Sequence, residues 1–292
     1  MPTTRGGKMI SMSPLAQMIS TRTEDGVLLH GALYEPAAPT GVAVFLIHGG
    51  WGNFYTGLGR FLPGVLAEAG FACLSLNTRD HDYGTVADRE PCIGLMRAQF
   101  EDSPKDIAAG LRFLKDRGYH RYVMIAHSYG CPKAVYSQIM QPDPGVLAMI
   151  LCSAGPVMTE VAEYYIDVPY DEAVRQATEL VEAGEGEKFV VFRHFGPVPL
   201  LCTARTFLSV WGPDLIYDLR KYMGEVRTPL LVAVCEGDFE VYRDRCQTLY
   251  QMAQHAERRD FVLLPGGDHY YLGAEQSLSE TILAWLDKLE LQ

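Results

Sequence analysis

The chain has 292 residues, of which 48% are hydrophobic and 21% charged. That is ordinary globular usage, so disordered, collagen-like and coiled-coil architectures are excluded, and the length suits one large α/β core with an inserted piece. Lys and Arg total 25 against 36 Asp and Glu, a net charge of −11; the basic footprint of a nucleic-acid-binding protein is missing, and no nucleic-acid partner is expected.

Residues 1–16 read as an N-terminal extension. Ser11, Ser13 and Pro14 break any apolar run there, so it does not read as a signal peptide. Residues 17–23 and 27–34 have strand character, and Glu24-Asp25-Gly26 between them supplies turn chemistry. Residues 42–47 are continuously apolar, which suits a strand buried on both faces of a parallel sheet. The run ends in a Gly-rich turn, His48-Gly49-Gly50-Trp51, followed by helical spacing through Leu58, Phe61, Leu62, Val65 and Leu66.

The pattern repeats. Residues 71–76 predict a strand, and the polar stretch Asn77-Thr78-Arg79-Asp80-His81-Asp82-Tyr83 follows it. That stretch could line a pocket or, through Asp80, His81 and Asp82, touch a metal. Adjacent side chains alternate in direction, so a surface loop is the preferred reading. Ser103 predicts a helix N-cap, with Pro104 in the first turn and Ile107, Leu111, Phe113 and Leu114 on the apolar face. Residues 122–126 are the next strand, a helix follows from Tyr129, and Val146–Cys152 is another strand. From 155 to 226 the rhythm gives way to helix-like, aromatic-rich sequence. Residues 229–235 resume it, then a helix over 240–255, a strand over 261–264 and a last helix over 276–290.

Strands alternating with helices predict a mostly parallel central sheet with helices on both faces. The core is expected over 17–154 and 227–292, with a helical cap inserted over 155–226. The cap aromatics, Tyr164, Tyr165 and Trp211 among them, are either a substrate roof or the cap's own core.

The most specific segment is Ala126-His127-Ser128-Tyr129-Gly130, which joins a buried strand to a helix. Small residues two places either side of Ser128 permit the tight turn of a nucleophile elbow. The Tyr129 N–H, at the helix N-terminus, is placed to stabilise an oxyanion. The plainer reading is that Ser128 only caps the helix.

With HGGW after the first long strand and AHSYG in mid-chain, the sequence resembles the α/β-hydrolase superfamily over most of residues 20–290. A narrower likeness to fungal siderophore esterases rests on Thr203-Ala204-Arg205-Thr206-Phe207-Leu208-Ser209. The resemblance implies a serine hydrolase that needs a base and an orienting acid. It places the catalytic His in the loop after the last strand, where His269 stands; the alternative is a surface histidine. It matches Asp238, just past Gly237, to the acid, with Glu236 as local competitor. It puts the second oxyanion donor at Gly50 or Trp51, with Gly50 preferred. His48 and His127 are expected to orient the donor loop and the elbow.

The implied reaction is hydrolysis of a small carboxylic ester through an acyl-enzyme, with no cofactor and no metal. Lactonase, thioesterase, amidase and C–C hydrolase activities use the same residues. An acyl transferase or cyclase, and a non-catalytic binding protein, share the fold. Ser in place of Asp at the elbow disfavours haloalkane dehalogenase and epoxide hydrolase chemistry. Seven cysteines, an odd number without a CxxC pair, argue against a disulfide framework or zinc site and for a reducing, cytoplasmic location. No stretch approaches the ~18 apolar residues of a membrane span, and the sequence sets no oligomeric state.

Overall fold

Short apolar runs with β-branched and aromatic residues become the middle of a sheet. In the computed structural model, which describes residues 15–86, 90–195 and 198–289, ten strands form. They are β1 (Ala16–Arg22), β2 (Leu28–Tyr34), β3 (Ala43–Ile47), β4 (Ala72–Leu76), β5 (Tyr122–His127), β6 (Val146–Cys152), β7 (Phe189–Phe195), β8 (Val198–Thr203), β9 (Leu230–Cys235) and β10 (Arg259–Leu264). The expected extension over 1–16 lies, but for its last two residues, outside the described ones.

Eight strands make one sheet in the order β1-β2-β4-β3-β5-β6-β9-β10. The hairpin β1–β2 joins antiparallel to β4, and every pair from β4 to β10 is parallel. The side chains of β3 show why such a strand has no polar face. Ala43, Phe45 and Ile47 pack into one layer, Val44 and Leu46 into the other. Fully burying a side chain of the size of Phe45 or Leu46 stabilises the fold by roughly 1.5–3 kcal/mol. One layer is closed by α1 (Leu62–Glu68) and α8 (Glu275–Asp287) through Leu62, Leu66, Ile282 and Trp285. The other is closed by α2 (Ser103–Lys115), α3 (Gly130–Met140) and α7 (Glu240–Met252).

Between β6 and β9 the chain forms α4 (Met158–Tyr165), α5 (Tyr170–Glu182), the hairpin β7–β8 and α6 (Ala204–Trp211). The segment is therefore not all helical. Val190 and Phe192 are buried while Val191 is 62% exposed, an alternation that suits a ribbon with one dry face. A third apolar cluster with Ile166, Ala173, Phe192, Phe207 and Trp211 fills this region. Arg245 of α7, itself buried, ties the insertion to the core by meeting Glu160 of α4 and Asp218.

The expected Ser103 cap is not made. A 3-10 turn over Phe100–Asp102 runs straight into α2, so Ser103 already has helical backbone, and its Oγ is buried without a partner. Among the described residues no helix is long and apolar enough to cross a membrane, and all seven cysteines are free thiols.

Candidate active site

Strand β5 ends at the carboxyl edge of the sheet and α3 starts three residues later, leaving Ser128 in the turn with φ +52°. A non-glycine residue in this region is strained and is held there by its surroundings. The Ser128 N–H donates to the Cys152 carbonyl at 2.9 Å, and its carbonyl accepts from the Cys131 N–H. Gly130 is required by close approach. A Cβ there would stand 2.6 Å from the His48 carbonyl oxygen and 2.7 Å from that of Ile47. The end of β3 thus lies directly against the elbow, which brings the HGGW loop to the serine.

His269 sits in the loop after β10. Its Nε2 is 3.0 Å from Ser128 Oγ, and its Nδ1 is 3.1 and 3.2 Å from the two carboxylate oxygens of Asp238. The Asp238 side chain is fully buried at the end of β9, where its Oδ1 also accepts the Phe239 N–H at 2.8 Å. Serine, imidazole and carboxylate are therefore joined in line. Glu236 is exposed and turns to the Gly266 N–H. Asp268 accepts the N–H groups of Tyr270 and Leu272. Neither competes for His269.

The donor loop is equally fixed. Gly50 packs on Tyr129, where a Cβ would lie 3.5 Å from the Tyr129 Cβ. Trp51 has φ +55°, and its ring stacks on Tyr83 and on Trp211 of α6. The Thr78 N–H donates to His48 Nε2 at 3.0 Å, so the proton of neutral His48 is on Nδ1, which donates to the Gly49 carbonyl at 2.8 Å. Asn77 accepts the Phe54 N–H, and Asn53 donates to Asp82.

These contacts correct the reading of 77–83 as a surface loop. Asn77, Thr78, Arg79, Asp80 and His81 are all buried, because the 49–59 loop and α3 cover the carboxyl end of β4. Asp80 points inward to Lys133 of α3, and His81 pairs with Asp82. Lys133 carried no signal in the sequence, since 53 positions separate it from Asp80. Tyr242 was also missed; its ring stands edge-on to His269 with centroids 4.5 Å apart.

His127 Nε2 lies 2.8 Å from the His269 carbonyl oxygen and donates to it, which anchors the His269 loop to the elbow. Burial pushes His127 down to about 3, with the neighbouring His269 adding to the effect. His48 is also held at about 3, by burial first and the Lys133 charge second. Both rings are therefore neutral in the folded protein at physiological pH. An unfolded histidine titrates near ~6.5. As pH falls from there toward 3, the unfolded chain takes up protons that the folded one refuses, so stability is full above this window and declines through it. The denaturant midpoint should fall between pH 7 and pH 4.5, and His127→Asn should make that fall shallower. An identical slope in the variant would contradict a buried neutral His127.

Ser128 and His269 open on a cavity of about 240 Å³. Leu95, Val161, Val210, Trp211, Tyr217 and Tyr242 wall one part, and Gly49, Gly52, Gly57 and Gly59 wall another. Among the described lining residues there is no Asp, Glu, Lys or Arg. Trp211 and Tyr217 belong to the third apolar cluster as well, so for them pocket wall and local core coincide. The side chains of Tyr164 and Tyr165 lie outside the described ones. The Thr203–Ser209 run is occupied structurally: Thr203 caps α6 by accepting the Thr206 N–H, and Ser209 accepts the Phe100 N–H.

A mostly parallel sheet with this serine at an elbow and this histidine after the last strand defines an α/β-hydrolase. The chain belongs to the Alpha/beta hydrolase family, whose model matches residues 44–280. Solved structures of similar fold include the esterase domain of a Rhodothermus marinus protein, 20% identical with a TM-score of 0.61 over 93% of this chain and 97% of that one. Est1E from Butyrivibrio proteoclasticus with ferulic acid bound is 16% identical, with a TM-score of 0.69 over 93% and 99%. The Pyrococcus furiosus esterase Pf2001 is 15% identical, with a TM-score of 0.61 over 95% and 90%. At these identities the likeness is one of fold. No curated protein matches the sequence, and the narrower likeness to siderophore esterases finds no support in these comparisons.

Proposed function

We propose that the protein is a serine hydrolase of small, uncharged carboxylic esters. The observation that carries this reading is the line from Ser128 Oγ through His269 to Asp238, which opens at Ser128 on a cavity with no ionic side chain among its described lining residues. His269 Nε2 takes the Ser128 proton as Oγ attacks the ester carbonyl. Backbone N–H groups of Gly50 or Trp51 and of Tyr129 hold the oxyanion. The protonated imidazole, stabilised by ionised Asp238, then gives its proton to the leaving alcohol. Water activated by the same His269 releases the acid and regenerates Ser128. The insertion over 155–226 serves as the cap, its Val161, Val210 and Trp211 roofing the substrate. The free thiols fit a reducing compartment.

A buried ionic group on the substrate would find no charged partner among the described lining residues and would keep its desolvation cost. Neutral esters are therefore expected to be turned over and their carboxylated or ammonium-bearing analogues refused. The test combines a fluorophosphonate probe with a panel of neutral and charged esters, lactones and thioesters, with and without an alcohol acceptor. A probe adduct mapped by mass spectrometry to Ser128, with acid release from neutral esters, is the expected result. A folded protein that takes no label is a binder, and acyl transfer to the acceptor alcohol in preference to water makes it a transferase.

A further inference from the structure

One fully buried cation touches the structure behind both expected oxyanion donors. Lys133 is 1% exposed, five residues after Ser128 on α3. Its Nζ donates to both oxygens of Asp80 at 3.0 Å and to Thr78 Oγ1 at 2.9 Å. Thr78 Oγ1 in turn donates to Asp80 Oδ1. The same ammonium lies 5.3 Å from the ring centroid of Tyr129, the residue whose N–H is one donor. On the other side, the Thr78 N–H holds His48 Nε2, and His48 Nδ1–H holds the Gly49 carbonyl. The Gly52 N–H also reaches that carbonyl, at 3.2 Å.

The Gly49 carbonyl and the Gly50 N–H belong to one planar peptide and point in opposite directions. Whatever pins the first aims the second. A buried ion pair is, besides, a poor source of stability, because desolvation offsets most of its attraction. Its hydrogen bonds here are spent on the group that orients His48.

We propose that Lys133 and Asp80, through Thr78 and His48, are positioning residues that set the direction of the Gly50 N–H and seat Tyr129 at the opposite side of the oxyanion site. The pair touches no substrate. It fixes the tautomer and ring plane of His48, and the ring fixes the peptide. This inference rests on the serine-hydrolase reading above.

The test uses the full chain, with active sites counted by fluorophosphonate titration. Wild type is compared with Lys133→Met/Asp80→Asn, which removes both charges together, and with Thr78→Val, which keeps the ion pair and removes the hydroxyl that joins it to the His48 side. The readouts are kcat and KM on p-nitrophenyl butyrate, inhibition by butaneboronic acid as a tetrahedral analogue, and thermal melting. Losing an oxyanion donor outright costs ~10²–10³ in rate, so a misaimed one is expected to lower kcat by about 10–100-fold in the double variant and about 3–10-fold in Thr78→Val. KM should stay within about threefold and boronate affinity should fall in step with kcat, since only interactions specific to the transition state are lost. A purely structural pair would lower the melting temperature and leave kcat per titrated site and boronate affinity unchanged; that result in either folded variant overturns the proposal. Should the double variant not fold, Thr78→Val decides. A wild type that neither labels nor hydrolyses overturns the serine-hydrolase reading itself, and this inference with it.

Discussion

Ser128→Ala is expected to lower ester turnover by a factor on the order of 10⁵–10⁶ while the protein stays folded. The hydroxyl's hydrogen bond is to His269 Nε2, so its loss leaves the packing of the elbow intact. Alanine bears the same left-handed backbone at φ +52° at a cost close to that of serine. The Ser128 N–H and carbonyl contacts are made by the main chain and remain. What disappears is the only route to an acyl-enzyme. Residual rate would come from the oxyanion donors and from binding, ~10³–10⁴ over water in other enzymes of this logic. The measurement is steady-state hydrolysis of a neutral ester with circular dichroism and thermal melting as controls for fold. Turnover within tenfold of wild type would remove Ser128 as the nucleophile. A variant that binds substrate with unchanged affinity and no turnover would separate the cavity from the chemistry.

The sheet and the elbow were legible because both obey local rules. Five consecutive apolar residues such as those of β3 have no solvent face to present, and alanine and glycine around Ser128 announce a turn that larger residues would not fit. Asp238 and His269 were legible by likeness to a family, and their contact across 31 positions could not be read from residue type alone. The hairpin β7–β8 was hidden between helical neighbours, α5 before it and α6 after it, in a stretch whose overall pattern is helix-like. The alternation of Phe189 and Val191 outward with Val190 and Phe192 inward was the available signal. Asp80 was misjudged for a physical reason. A carboxylate following a strand is exposed unless a cation reaches it, and the cation that does so, Lys133, comes from α3, the second α-helix further on.

Asp238→Asn is expected to lower kcat by about 10⁴ with KM little changed, the loss found where an imidazole is left in the wrong tautomer. The geometry says why an isosteric change should be so costly. Asp238 Oδ1 accepts the Phe239 N–H at 2.8 Å, and a main-chain donor will keep an oxygen at that position in the variant. The new amide NH₂ then takes the place of Oδ2, 3.1 Å from His269 Nδ1. Oδ1 stays 3.2 Å from Nδ1 but already takes the Phe239 N–H, and the nearer NH₂ opposes a proton on Nδ1, so the tautomer with its proton on Nε2 and Nδ1 as acceptor is favoured. Nε2 then cannot receive the Ser128 proton at 3.0 Å, and the nucleophile is no longer activated. Asp238 is buried and makes no contact that the amide would have to give up in volume, so the fold should be retained. Glu236→Gln is the matched control, since that side chain is exposed and lies on the Gly266 N–H; its kcat should equal that of wild type. The two variants are compared by kcat on a p-nitrophenyl ester and by the second-order rate of fluorophosphonate labelling, which reads activation of Ser128 without product release. Asp238→Asn should slow both together. A loss below tenfold in Asp238→Asn, or a large one in Glu236→Gln, would move the orienting role off Asp238.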